Sequence, residues 1–285
     1  MYVHPRLRVA GAADQRAGGR RGRRWTAPLG AVLLLCVLIG VAPAGAVAAT
    51  AGAGTVVGWG ENSHGQASPP AGLAGVTAIA AGAAHSLALK RNGTVVAWGN
   101  NFSGEASPPA GLSGVTAIAA GGSFSLALKG NGTVVAWESS PPAGLTGVTA
   151  IAAGGNHDLA LKGNGTVVAW GDNTYGQARP PAGLGGVTAI AAGRYYSLAL
   201  KSNGTVVAWG NNEFGQARPP AGLTRVTAIA AGHDHGMALR RNGTVIAWGD
   251  NAFGQTAVPA GLGGVVAIAG GGSFSLALKG RPGYA

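Results

Sequence analysis

Residues 187–216 read VTAIAAGRYYSLALKSNGTVVAWGNNEFGQ, and this stretch decides the fold. Residues 187–191 form a short apolar run that Gly193 ends, and residues 197–201 form a second. Asn203-Gly204 follows, and Asn-Gly between apolar runs is the strongest short hairpin signal, because a type I′ turn needs positive φ at both central positions. Residues 205–209 make a third strand and residues 210–216 a loop. Arg218-Pro219-Pro220-Ala221 can add only a short outer strand, since proline cannot donate to a ladder. The unit is predicted to be an antiparallel meander of three to four strands. Its strands are almost uncharged and apolar on both faces. A sheet covered on one face would alternate with polar residues, whereas a sheet sandwiched between two neighbours would not.

The same stretch recurs along the chain. Its Trp falls at Trp59, Trp98, Trp137, Trp170, Trp209 and Trp248, in steps of 39, 39, 33, 39 and 39 residues. The V-x-A-I-A block starts at Val76, Val115, Val148, Val187, Val226 and Val265. A fixed period of this size marks a solenoid, propeller or array. Six units whose strands are apolar on both faces favour a β-propeller, in which radial repetition leaves only short edges. The chain enters the repeat at residues 55–60 (TVVGWG), a third strand without its first two. It leaves at residues 265–279, a first and second strand without the third. The expectation is an all-β, six-bladed propeller over residues 54–280, closed by pairing of its N- and C-terminal strands.

Residues 1–49 stand outside the repeat. Arg20, Arg21, Arg23 and Arg24 precede an apolar run over residues 27–41, and Ala44-Gly45-Ala46-Val47-Ala48-Ala49 follows. A basic region, a short apolar run and an Ala-x-Ala end describe a secretory signal peptide, cleaved after Ala46, Ala48 or Ala49. This leader holds seven Arg against one Asp, so it supplies more than half of the formal charge of +11. The rest is dispersed and lacks the clustered patch that nucleic-acid binding needs. The single cysteine, Cys36, lies in the apolar run, so a secreted chain would carry neither disulfide nor thiol.

The pattern IAAG-x-x-H-SLAL-x-x-x-G-x-V-x-AWG-x-N-x-x-GQ resembles the repeat of the regulator of chromosome condensation family. The short period, the leader and the final LALKG are most similar to the secreted, β-lactamase-inhibiting bacterial branch of that family. The resemblance implies a propeller and a protein partner, a β-lactamase or a cell-wall enzyme. The wider family implies guanine-nucleotide exchange, against which the leader argues. Family members are seven-bladed, and six units are counted here.

In a meander the first-to-second-strand loop and the loop after the third strand emerge on one face. That face holds the variation between copies. The first loops read Ala83-Ala84-His85, Gly122-Ser123-Phe124, Gly155-Asn156-His157, Arg194-Tyr195-Tyr196, His233-Asp234-His235 and Gly272-Ser273-Phe274. Their third residue is always His or aromatic and is read as structural. The richest sector joins Tyr175, Arg194, Tyr195, Glu213, Phe214, His233 and Asp234, with Phe253 beyond it. Exposed aromatics mixed with Arg and acids make a protein-binding composition; filling of the channel mouth by the same rings is the alternative. After Trp137 the chain reads Glu138-Ser139-Ser140-Pro141, six residues short of its sisters, which predicts a notch in this face.

No nucleophile–base constellation stands apart from the repeat, so no enzyme activity, cofactor or catalytic residue is expected. His233-Asp234-His235 lacks further ligands for a metal. The Asn-Gly-Thr sequons at Asn92, Asn131, Asn164, Asn203 and Asn242 serve as turns. The sequence therefore predicts a secreted, monomeric, non-enzymatic binder of a protein. A β-lactamase inhibitor, an exchange-factor-like regulator and a carbohydrate-binding lectin are the alternatives.

Overall fold

The computed structural model describes residues 56–59 and 61–279. The leader over residues 1–49 and its cleavage site lie outside them. Among the described residues every regular element is a strand. The first sheet holds β1 (Val76–Ala81), β2 (His85–Lys90) and β3 (Val95–Gly99); the second holds β4 (Val115–Ala120), β5 (Ser125–Lys129) and β6 (Val134–Trp137). The third holds β7 (Val148–Ala153), β8 (His157–Lys162) and β9 (Val167–Gly171); the fourth holds β10 (Val187–Ala192), β11 (Tyr196–Lys201) and β12 (Val206–Gly210). The fifth holds β13 (Val226–Ala231), β14 (His235–Arg240) and β15 (Val245–Gly249), and the sixth only β16 (Val265–Gly270) and β17 (Ser275–Lys279). Each sheet is antiparallel and in chain order.

The Asn-Gly hairpins differ from the expected type I′ form. Gly204 has φ 81°, but Asn203 keeps negative φ. Gly204 N–H bonds to Lys201 O at 2.9 Å and Lys201 N–H to Thr205 O at 2.9 Å, which makes a three-residue loop. The Asn203 side chain sets this choice by accepting Thr205 N–H at 3.0 Å. Every first-to-second-strand pair also carries a bulge after its leading Val, as at Val187/Ala189. The bulged Thr188 donates to Leu200 O at 3.2 Å, and such bulges increase strand twist.

The core lies between the sheets. On β8, Leu159 and Leu161 face the fourth sheet and pack on Ile190, Ala192, Ala199 and Trp209. On β11, Leu198 and Leu200 face the fifth sheet and pack on Ile229, Ala231, Ala238 and Trp248. The first four sheets thus present large Leu side chains to the small Ala positions of the next. This alternation explains why neither face of a strand is polar. The first strands β1, β4, β7, β10, β13 and β16 pack each against the next in series.

One expectation about strands is corrected. The Pro-Pro connector forms no fourth strand; it makes a turn in which Leu184 N–H reaches Pro181 O at 3.1 Å. The loop before it crosses to the following sheet. Gln177 O, in the loop after β9, accepts Ser197 Oγ at 2.9 Å and Trp209 Nε1 at 2.8 Å, both from the fourth sheet. Gln66, Glu105 and Gln216 offer their carbonyls to Trp98, Trp137 and Trp248 in the same way. Each loop is therefore a strap joining two blades.

The closure expected at the ends is not seen among the described residues. Residues 56–59 are not in a strand, and no pairing joins them to β17 among the described residues. Gly58 lies against Ala67 of its own loop instead. Leu276 is 50% exposed, whereas its counterparts Leu87, Leu126, Leu159 and Leu198 are fully buried. Among the described residues, the Leu face of the sixth sheet has no Ala face against it.

Candidate partner-binding face

The two variable loops do share one face. Asn211 N–H bonds to Tyr195 O at 2.9 Å and Asp250 N–H to Asp234 O at 2.9 Å, which ties each third-strand exit to the first loop of its own blade. The first loops are also joined to one another. Arg194 N–H bonds to His233 O at 3.0 Å, and His233 N–H to Gly271 O at 3.1 Å.

The third loop residue is structural, as expected, in five of the six copies. His85, Phe124, His157, Tyr196 and His235 are buried, and Phe274, at the uncovered end, is exposed. The histidines bond across to the next blade, His157 Nε2 to Ser197 Oγ at 2.8 Å and His235 Nε2 to Ser275 Oγ at 2.9 Å. Both serines spend their own hydrogen on a strap carbonyl. Each imidazole must therefore donate from Nε2, which leaves Nδ1 as a buried acceptor without a partner. Burial holds all three histidines below their ordinary value, His157 at about 4. Tyr196 replaces the histidine in the fourth blade, and its hydroxyl donates to His235 O. Its ring lies where a side chain on Gly193 would have to be: a Cβ there would fall 1.9 Å from Tyr196 Cε1.

Outside this buried layer stand the residues singled out in the sequence. Tyr175, Phe214 and Phe253 occupy the same position of three successive straps. Each backbone N–H is held by the Gln two residues on, through Gln177, Gln216 and Gln255 Oε1 at 2.9, 2.8 and 2.8 Å. The three rings are 51%, 50% and 78% exposed, which sets them apart from core packing. Because the strap after β9 reaches the fourth blade, Tyr175 meets Tyr195 with ring centroids 5.3 Å apart and planes tilted by 46°. The Arg194 guanidinium carbon lies 4.9 Å from the Tyr195 ring centroid.

Around these rings sit the charges. Burial and the positive charge of Arg194 hold His233 below its ordinary value. Burial raises Asp234, opposed by Arg194 and His233, while Glu213 and Asp250 push the same way as burial. Arg194, Glu213, His233 and Asp234 thus share one electrostatic neighbourhood. His235 is turned away from His233 toward Ser275, and no group of three metal-ligating side chains occurs among the described residues.

Two features escaped the choice of site residues. Phe102 is 95% exposed on the strap of the second blade, one residue before the position of Tyr175; its aromatic type in a variable loop was the available signal. Asp158 is buried beneath the notch. It could have been found as the one acid at a position that reads Ser86, Ser125, Ser197, Gly236 and Ser275 in the sister copies.

Like antiparallel sheets, packed in series by their faces and strapped blade to blade, define a repeat β-propeller. The repeat is that of the regulator of chromosome condensation (RCC1): its family model matches residues 76–105, 115–137, 148–177, 187–216 and 226–255, and the chain belongs to this family. Among solved structures the chain is similar to yeast RCC1 (Prp20) bound to Kap60, with 21% identity and a TM-score of 0.62 over 72% of this chain and 68% of that one. It is also similar to human WBSCR16, with 21% identity and a TM-score of 0.61 over 72% of each chain. The ectodomain of the Physcomitrella patens receptor kinase CR4 matches with 25% identity and a TM-score of 0.59, over 74% of this chain and 60% of that one. No curated protein sequence matches this chain.

Proposed function

We propose that this protein is a secreted, non-enzymatic propeller that binds a protein partner through its variable-loop face. The observation that carries this reading is the row of exposed rings on rigid straps. Tyr175, Phe214 and Phe253 have their backbones fixed by Gln side chains, and Tyr195 and Arg194 stack beside Tyr175. Large rings on a fixed backbone bury area at low entropic cost, which is the physics of a hot spot. The family supports the choice of a protein as partner, since the yeast relative is seen with bound Kap60 and another structure of it, Prp20p, is described with its binding to Gsp1p and histones.

The inhibitor reading is second. A β-lactamase panel tests it directly, because the face offers rings from Tyr and Phe while Trp137, Trp170, Trp209 and Trp248 are buried in the blades. In a pull-down from culture supernatant and in titration against class A β-lactamases, Tyr195→Ala and Phe214→Ala should each weaken partner binding by about 2 kcal/mol or more. Both should leave thermal unfolding nearly unchanged, and Lys201→Ala on the opposite face should change nothing. Unfolding by both aromatic substitutions would make the rings packing residues and remove the patch. Binding that survives both would move the interface elsewhere.

The face is complete only when the ring is closed, and closure is part of the same proposal. Gln255 O receives Ser275 Oγ at 2.7 Å but no indole, and Trp59, 78% exposed, lacks such a seat, while Trp170 at the notch finds Ser139 Oγ in place of one. In the register of β2 on β3, where Ser86 stands opposite Trp98, Trp59 would stand opposite Ser275 and donate to Gln255 O.

A further inference from the structure

After Trp137 the strap that joins every other pair of described blades is replaced by Glu138-Ser139-Ser140. The face opens there into a recess of about 530 Å³, with Phe124, Glu138, Ser139, Asn156, Asp158 and Trp170 among its lining. With the strap gone, Trp170 has no loop carbonyl to bond. Ser139 Oγ takes its indole N–H instead, at 3.0 Å, and turns its own hydrogen on Asp158 Oδ2 at 2.5 Å. In four other blades a Ser donates to a carbonyl at this point. Here the partner is itself a donor, so an acceptor must face it. That accounts for one oxygen of Asp158.

The other oxygen is not accounted for. Asp158 is 1% exposed, lines the recess, and its Oδ1 has no hydrogen-bond partner. In three other blades a His reaches this position from the preceding blade. Here the preceding blade offers the Phe124 ring, which cannot donate. An unsatisfied buried acceptor is costly, and a structure that needed only the Ser139 bond would not carry it.

Glu138 is the second anomaly. It occupies the slot of Gly99, Gly171, Gly210 and Gly249, whose φ values run from 92° to 103°, and it has φ 61° itself. Glycine would sit there without strain. Glutamate pays for the left-handed backbone and places a carboxylate at the mouth of the recess.

We propose that the notch binds an alkylammonium or guanidinium group, which donates to Asp158 Oδ1, is balanced in charge by Glu138, and runs its stem between Phe124 and Trp170. Two carboxyl groups with aromatic walls suit an organic cation. A divalent metal ion needs more oxygen ligands than two carboxylates, and no group of three metal-ligating side chains occurs among the described residues. Burial pushes the Asp158 carboxyl up to about 7, so an arriving cation displaces its proton near neutral pH. The cation is either a free small molecule or a Lys or Arg side chain of a docked protein. The inference rests on the notch alone and stands apart from the aromatic row.

The test is a heteronuclear NMR titration of the isotope-labelled chain, following the Trp170 indole N–H. The probes are ethylguanidinium and butylammonium, with neutral ethylurea as control. Both cations should give saturable shifts at Trp170 that ethylurea does not. Asp158→Asn and Glu138→Gly should each weaken binding tenfold or more while signal dispersion shows an intact fold; Lys90→Ala on the opposite face should leave it unchanged. Capped Gly-Arg-Gly binding more tightly than ethylguanidinium would assign the site to a partner side chain, and weaker binding would assign it to a free cation. The proposal is overturned if neither cation shifts Trp170 saturably, if ethylurea does as well, or if Asp158→Asn binds like the wild type.

Discussion

Replacing Asp158 by Asn should stabilise the propeller at alkaline pH relative to acid pH, because the buried carboxyl is held near neutrality. Its ordinary value is 3.8 and burial raises it to about 7, against the lowering influence of Ser139 and Trp170. Between these two values the folded chain keeps a proton that the unfolded chain has lost. The folded state binds more protons there, so stability falls as pH rises through the window and levels off above it. Three units at about 1.4 kcal/mol each give about 4 kcal/mol. Asn cannot titrate, and its amide oxygen can still accept from Ser139. The stability of Asp158→Asn minus that of the wild type should therefore rise by about 4 kcal/mol between pH 3.5 and pH 8. Taking the difference matters, because His157 drives both proteins the opposite way and cancels. Urea unfolding followed by Trp fluorescence, at half-unit steps of pH, measures it. A difference curve flat to within about 1 kcal/mol would refute the argument, since the carboxyl would then ionise alike in both states.

His157 contributes most among the histidines to the acid limb: its folded value of about 4 lies below its ordinary 6.5, so stability is lost as pH falls from 6.5 toward 4. His157→Phe, the residue found at Phe124 and Phe274, should remove about 3 kcal/mol of that loss and change neutral stability by only about 1 kcal/mol; an unchanged acid limb in urea titrations would place the sensitivity elsewhere. Trp59→Ala should cost about 3–5 kcal/mol of stability if the indole seats on Gln255 O. A thermal midpoint equal to the wild type would mean that the ring is not closed through Trp59.

The repeat, the six sheets, the hairpin positions and the face that varies were legible in the sequence, because each rests on short-range signals. Asn203-Gly204 turns within a few residues, the apolar runs set the strands, and a period of 39 residues counts the blades. The notch was legible too, as a gap of six residues after Trp137. Tertiary structure alone decided which blade each loop serves. Trp209 bonds Gln177 across 32 residues and His157 bonds Ser197 across 40, and several copies offer the same residue types, so likeness between repeats conceals the partner. The strap geometry in turn placed Tyr175 on Tyr195, a contact between two different blades. The same reason hid Asp158. Its departure from Ser acquires meaning only once Ser139 is seen to donate where the straps of four other blades accept.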